Sequence, residues 1–173
     1  MANTYTLIST YTVGSGGINE VSFSGLTNAY THFQIHASVR CSNSGTDAQV
    51  QIDVGAGYGA GYSVLVFQAA GSGTPIGSSS STGWMIGGTN ANNNTANTFG
   101  TFTLLLPNAT NSSYAKSGHI FSGQATGSTP IYTESNFLQF SSTSAISTIK
   151  MRPSASVNFM QYSVFSLYGL TVS

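Results

Sequence analysis

Beyond its lysines, arginines and hydroxyl residues, eight side chains in this 173-residue chain could take part in acid–base, nucleophilic or metal chemistry: Glu20, Asp47, Asp53, Glu134, His32, His36, His119 and Cys41. A glycoside-cleaving pair needs two carboxyl groups about 5 to 9.5 Å apart. Asp47 and Asp53 fall on one face of a strand, but at about 3.3 Å per residue they lie about 20 Å apart. Such a pair would have to be assembled by the fold from among the four acids, and nothing in their spacing suggests it. His32 and His36 have the i, i+4 spacing of a helical zinc motif. On a strand the same spacing spreads them over about 13 Å, too far for one ion, so they read as outward-facing polar residues. A serine hydrolase requires a nucleophile, a base and usually an acid. Serines abound and His119 is available, but no G-x-S-x-G elbow occurs. Cys41 has Arg40 as its one cationic neighbour in sequence and reads as a small buried apolar residue.

The segment Gly55-Ala-Gly-Tyr-Gly-Ala60 fits the G-x-G-x-x-G/A fingerprint of dinucleotide sites. That fingerprint works only where it opens a helix, whereas Tyr62–Phe67 reads as a strand, so the glycines read as a turn. Asn93, Asn108 and Asn111 form N-x-S/T sequons of the kind that an Asn-, Ser- and Thr-rich chain produces by chance. Trp84 or Tyr58, near Asn-rich loops, could stack on a sugar ring, although core or interface packing is the ordinary use of such rings. No catalytic, cofactor-binding or metal-ligating residue is assigned, and no cofactor or enzymatic activity is expected.

The elements that position these residues are strands. Tyr30–Arg40 places Phe33, Ile35, Ala37 and Val39 on one face and His32, Gln34, His36, Ser38 and Arg40 on the other. Asp47–Val54 repeats the pattern, and the short turn-rich link between the two predicts a hairpin. Further strands are expected at Tyr5–Val13, Glu20–Ser24, Tyr62–Gln68, Gly83–Gly87, Thr98–Leu106, Gly118–Ser122, Asn136–Ser141, Ser147–Arg152 and Tyr162–Val172. The low-complexity stretches Gly71–Gly83 and Gly87–Asn97 read as loops. No 3.6-residue apolar stripe is convincing. The expectation is a single all-β domain over residues 1–173, an antiparallel β-sandwich of jelly-roll type.

Composition narrows the function classes. Only eight residues carry a full charge, the net charge is zero, and 82 residues are Ser, Thr, Gly or Asn. A typical soluble domain is about 25% charged. Four basic residues cannot supply the phosphate contacts of a nucleic-acid-binding protein. No stretch approaches the roughly 20 apolar residues of a membrane-spanning helix, and the start lacks the pattern of a signal peptide. A near-neutral surface favours association.

Segments at both ends of the chain carry a resemblance. Tyr5-Thr-Leu-Ile-Ser9, Val21-Ser-Phe-Ser-Gly-Leu26 and Tyr30-Thr-His-Phe-Gln-Ile35 resemble the N-terminal strands of small virion structural proteins of tailed bacteriophages. Phe165-Ser-Leu-Tyr-Gly-Leu170 is similar to their C-terminal strand, and Ile146–Ile149 leading into Met151-Arg-Pro153 to the penultimate one. The resemblance covers the two ends of the chain. Relatives of that kind often carry more Arg and Asp in the third strand and the middle, so ionic contacts of the family do not transfer. The resemblance implies a non-enzymatic component of the virion, made in the host cytoplasm. The first expectation is a capsid decoration (cement) protein, a homotrimer that binds the major capsid protein or other virion proteins. The alternative is a receptor-binding module of a head or tail fibre that grips a host surface glycan.

Overall fold

The computed structural model describes residues 4–58, 61–70, 76–80, 84–124, 132–154 and 156–171. Among them the chain forms twelve strands: β1 (Thr4–Thr12), β2 (Val21–Ser24), β3 (His32–Val39), β4 (Asp47–Asp53), β5 (Tyr62–Ala70), β6 (Ile76–Ser80), β7 (Trp84–Asn90), β8 (Gly100–Leu106), β9 (Lys116–Gln124), β10 (Tyr132–Phe140), β11 (Thr148–Pro153) and β12 (Val164–Thr171). They build an eight-stranded sheet, ordered β1-β12-β3-β8-β9-β10-β5-β6, and a four-stranded sheet, ordered β2-β11-β4-β7. All strand pairings are antiparallel.

The winding is that of a jelly roll. The chain passes between the sheets at each step from β1 to β5, so that β1, β12, β3 and β8 stand side by side opposite β2, β11, β4 and β7. Two hairpins, β5–β6 and β9–β10, are inserted into this winding and widen the larger sheet. The period-2 alternation seen in the sequence is the reason the sheets face each other. Phe33, Ile35 and Val39 of β3, Val50 and Ile52 of β4, Leu104 of β8, Ile149 and Met151 of β11, and Phe165 and Leu167 of β12 are all fully buried between them. Burial on this scale, at roughly 25 cal/mol per Å² of apolar surface, is the main force holding the layers together. Phe159 closes the core with an edge contact to Phe165, centroids 4.9 Å apart.

Two sequence expectations are corrected. β3 and β4 are not a hairpin: they belong to opposite sheets, and the link between them crosses the sandwich. Both strands have one apolar face, and placing them in different layers buries each face against the other layer. The link is tied down on the way, Cys41 bridging to Phe159 and Arg40 to Asn90. The second correction is β6, which lies inside the stretch read as a loop. Ile-Gly-Ser-Ser-Ser has little β-propensity of its own, but it pairs along β5 from Gln68 to Val64 as an edge strand. Likewise β7 runs on to Asn90, into the start of the second low-complexity stretch.

Candidate functional site

The outer face of the eight-stranded sheet carries the exposed apolar surface. One row of cross-strand partners reads Leu65, Phe137, His119, Leu105, Gln34, Tyr168 and Leu7 across β5, β10, β9, β8, β3, β12 and β1. The next row reads Phe67, Ser135, Phe121, Thr103, His36, Ser166 and Thr10. Phe67, Phe121 and Phe137 are each more than half exposed, and Leu65 and Leu105 are exposed beside them. No Lys, Arg, Asp or Glu stands in either row. Contiguous exposed apolar surface of this kind, rimmed by polar side chains, marks interaction sites.

The β3–β12–β1 side of this face is hydrogen-bonded instead. The Gln34 amide donates to His36 Nε2 (3.1 Å), as does the Tyr5 hydroxyl (2.9 Å), and Nδ1 of the same ring meets Thr103 Oγ1 at 3.3 Å. An amide N–H₂ is a donor only, so Nε2 is the acceptor and the neutral ring carries its proton on Nδ1. Tyr5 stacks on Tyr168 at 4.7 Å. Both histidines of the i, i+4 pair are thus engaged separately, His32 Nδ1 accepting from the Asn108 backbone N–H (2.8 Å). Among the described residues no group of three or more His, Cys, Asp or Glu could hold a metal.

His119 pairs with Ser135 at 2.9 Å on the exposed face. A serine nucleophile would need an acid behind the imidazole and donors beside the hydroxyl. The acid nearest in register, Glu134, points to the inner face of the same strand, where it is buried. The pair is therefore a cross-strand surface contact. Cys41 is fully buried, and burial, with a smaller contribution from Asp47, pushes its thiol up to about 12. It is no nucleophile at neutral pH.

The glycine-rich turn binds an anion, but the anion is the chain's own. Asp53 Oδ1 accepts the backbone N–H groups of Gly55 (2.8 Å), Ala56 (3.0 Å) and Gly57 (2.9 Å), and the Tyr62 hydroxyl at 2.7 Å. Gly55 and Gly57 adopt φ of +127° and +86° to bring those N–H groups round, which favours glycine at both positions. Burial alone would raise the carboxyl pKa, but these hydrogen bonds outweigh it and hold Asp53 below its ordinary range. Gly59 and Ala60 of the motif lie outside the described residues.

The other charges are mostly accounted for within the fold. Arg40 donates to the carbonyls of Asn92 (2.9 Å), Asn94 (3.0 Å) and Thr95 (3.0 Å), fastening the Asn-rich loop to the sandwich. Lys116 is buried and gives its three protons to the carbonyls of Asn111, Tyr114 (2.7 Å) and Thr143 (2.9 Å). Glu20 lies 4.0 Å from Lys150 and accepts the Tyr58 hydroxyl at 3.0 Å. Arg152 covers the Tyr58 ring at 3.9 Å and donates to Gln51. Tyr58 is therefore committed to its neighbours rather than free to stack on a sugar. The Trp84 side chain lies outside the described residues.

Asp47 and Glu134, 87 positions apart in sequence, are brought together. A Cβ added at Gly88 would lie 2.9 Å from Asp47 Oδ1, 3.7 Å from Gln124 Oε1 and 3.8 Å from Glu134 Oε1. Burial, and then the Glu134 charge, push the Asp47 carboxyl up to about 6. The sequence offered no sign of this, because the two acids meet only through the β9–β10 insertion. The pair does not flank a sugar-sized cleft. Glu134 is held by the amides of Gln68 (2.8 Å) and Asn136 (3.3 Å), and Asp47 opens onto a groove lined by Asn43, Gln49, Pro153 and Val157 that does not reach Glu134.

No helix among the described residues is long and apolar enough to cross a membrane. Comparison of the chain with protein-family models, with curated proteins and with solved structures gave no match in any of the three.

Proposed function

We propose that the protein is a non-enzymatic structural component of a virion, a capsid decoration protein that attaches to the protein shell through the outer face of its eight-stranded sheet. The observation that carries this reading is the charge-free apolar patch of Leu65, Phe67, Leu105, Phe121 and Phe137. Such a face binds by excluding water from apolar surface and by hydrogen bonds from the polar side chains set among and beside it, Ser135, His119 and Thr103. The partner is accordingly a weakly charged protein surface, since a basic or acidic one would lose the hydration of its charges without compensation. The jelly-roll winding suits the role but does not select it, because the same architecture also serves lectins.

The test is co-sedimentation of the purified chain with shells assembled without it. Attachment is expected to be equal at about 0.1 M and about 1 M NaCl, since screening acts on charges and not on apolar contact. Phe121→Glu with Phe137→Glu is expected to leave the protein in the supernatant. Release by salt alone, or unchanged sedimentation of the double variant, would overturn the proposal.

A further inference from the structure

Where β7 packs against β9 and β10, two carboxylates face each other with no cation between them. All four basic side chains are engaged elsewhere: Arg40 on the Asn92–Thr95 carbonyls, Lys116 on three carbonyls, Lys150 at Glu20 and Arg152 on Tyr58. Glu134 is only 4% exposed, and a buried charge is normally paired or coordinates a metal.

A third oxygen points the same way. Gln124 is 2% exposed, and its Oε1 has no hydrogen-bond partner among the described residues. Its orientation is fixed by the other end of the amide, because Nε2 donates to the carbonyls of Thr46 and Thr89 (3.0 Å). Turning the amide over would set its oxygen against those two carbonyls, so Oε1 must face the carboxylates. Three oxygens thus converge on the space left by the missing side chain of Gly88, and none of them can donate to another while both acids are ionised.

We propose that Asp47, Glu134 and Gln124 bind a calcium ion in the space beside Gly88. The donor set is all oxygen, two carboxylates and one amide carbonyl, which is the chemistry of a hard divalent cation. The oxygens stand 2.9 to 3.8 Å from the position a Gly88 Cβ would take, and an ion seated among them, clear of the Gly88 Cα, would reach Ca²⁺–O distances of about 2.3 to 2.6 Å with side-chain shifts of about 1 to 1.5 Å. Magnesium, which demands a tighter octahedron and gives up water reluctantly, fits less well. Asp47 is exposed on its other side, which gives the ion an entry and lets water complete its shell. The Gln68 and Asn136 amides on Glu134 orient that ligand from behind, as outer-shell partners do. A small register irregularity at Gln49/Val50 in the β4–β7 pairing adjoins Gly88, the residue opposite Gln49. With three protein ligands the affinity expected is that of loosely built sites, a Kd of about 10⁻⁴ to 10⁻³ M.

The experiment is calorimetric titration of the chelator-treated full chain with CaCl₂, with MgCl₂ as control, together with thermal unfolding at about 10 mM Ca²⁺. One ion per chain and a rise in Tm of about 3 °C or more are expected. Asp47→Asn, on the exposed side of the cluster, is expected to fold and to lose at least about tenfold in affinity; Gly88→Ala, which fills the space, is a second variant with the same expectation. Absence of any Ca²⁺-dependent heat or Tm shift in the native chain would overturn the proposal, and would leave a proton on Asp47 to relieve the pair. So would equal binding in the native chain and in whichever variants fold.

Discussion

The outer faces of the two sheets use the same strand geometry for opposite ends. On and beside the four-stranded sheet the charges are mostly partnered, Glu20 with Tyr58 and Lys150, Arg152 with Tyr58 and Gln51, and Asp53 with the Gly55–Gly57 turn, Asp47 at the start of β4 being the exception. The eight-stranded sheet shows Phe67, Phe121 and Phe137 to solvent, with no charge in the rows that hold them. In a chain with so few ionic groups, charges are spent on holding loops in place, and the surface left without them is the surface available for apolar contact. The difference predicts that substitutions on the small-sheet side cost stability, while substitutions on the large sheet's outer face cost only attachment.

The largest effect is expected at Asp53. Asp53→Ala removes an acceptor from three backbone N–H groups and a buried tyrosine hydroxyl, and should cost about 3 kcal/mol in urea unfolding. A loss below about 1 kcal/mol would break the contrast at its strongest point. The pH dependence has a definite sign. Asp53 is held below its ordinary pKa in the folded chain, so its contribution is present above about pH 4 and is lost as pH falls through the lower folded value. Asp53→Asn should flatten the acid limb of the stability profile.

Asp47 runs the other way. Its folded pKa is raised to about 6, so between about pH 4 and 6 the folded state holds the proton that the unfolded state has released. Stability contributed by the proton is full below about pH 4 and is lost as pH rises through 6. With divalent cations chelated, stability should therefore decline across that window, and Asp47→Asn should remove the decline and gain about 1 kcal/mol at pH 7. A native profile that is flat from pH 4 to 6 would show that burial and the Glu134 charge do not hold the Asp47 carboxyl above its ordinary range.

Glu20→Ala takes away one hydrogen bond and one loose ion pair at a half-exposed position. A loss of about 0.5 to 1 kcal/mol is expected, with the part due to Lys150 shrinking in high salt. Guanidinium would mask that salt term, so urea is the denaturant of choice.

The alternation of Phe33–Val39 and Ala48–Val54 made the sandwich legible from sequence, because one buried face per strand forces two layers. What it left open was which strand joins which layer. Nothing local distinguishes a hairpin between β3 and β4 from a crossing between sheets, since both bury the same residues. β6 escaped because its pairing comes from β5 and not from its own serines and glycine. The exposed apolar face escaped for a related reason. Val64-Leu-Val-Phe67 is a continuous apolar run, the pattern of a strand buried on both faces, yet Leu65 and Phe67 are exposed. The outward phase of Phe121 and Phe137 becomes meaningful only when β5, β10 and β9 stand side by side. Asp47, Glu134 and Gln124 are harder still, because three polar residues distant in sequence converge on a glycine that offers no side chain of its own.

The smallest stability effect is expected where the functional effect is greatest. Phe121→Thr with Phe137→Thr keeps strand-favouring side chains at two exposed positions, and neither ring fills the core, so unfolding free energy should change by no more than about 0.5 kcal/mol. Ile120 and Leu138, one residue away in each strand, are fully buried, and truncating either to Ala should cost about 3 kcal/mol. The two pairs thus give opposite results on the same strands. If the threonine variant proved as destabilised as the alanine ones, the aromatic residues would be structural after all, and the large sheet's outer face would have no claim to be a contact surface. A neutral stability change, with loss of attachment to the shell, is the outcome that assigns those rings to a partner.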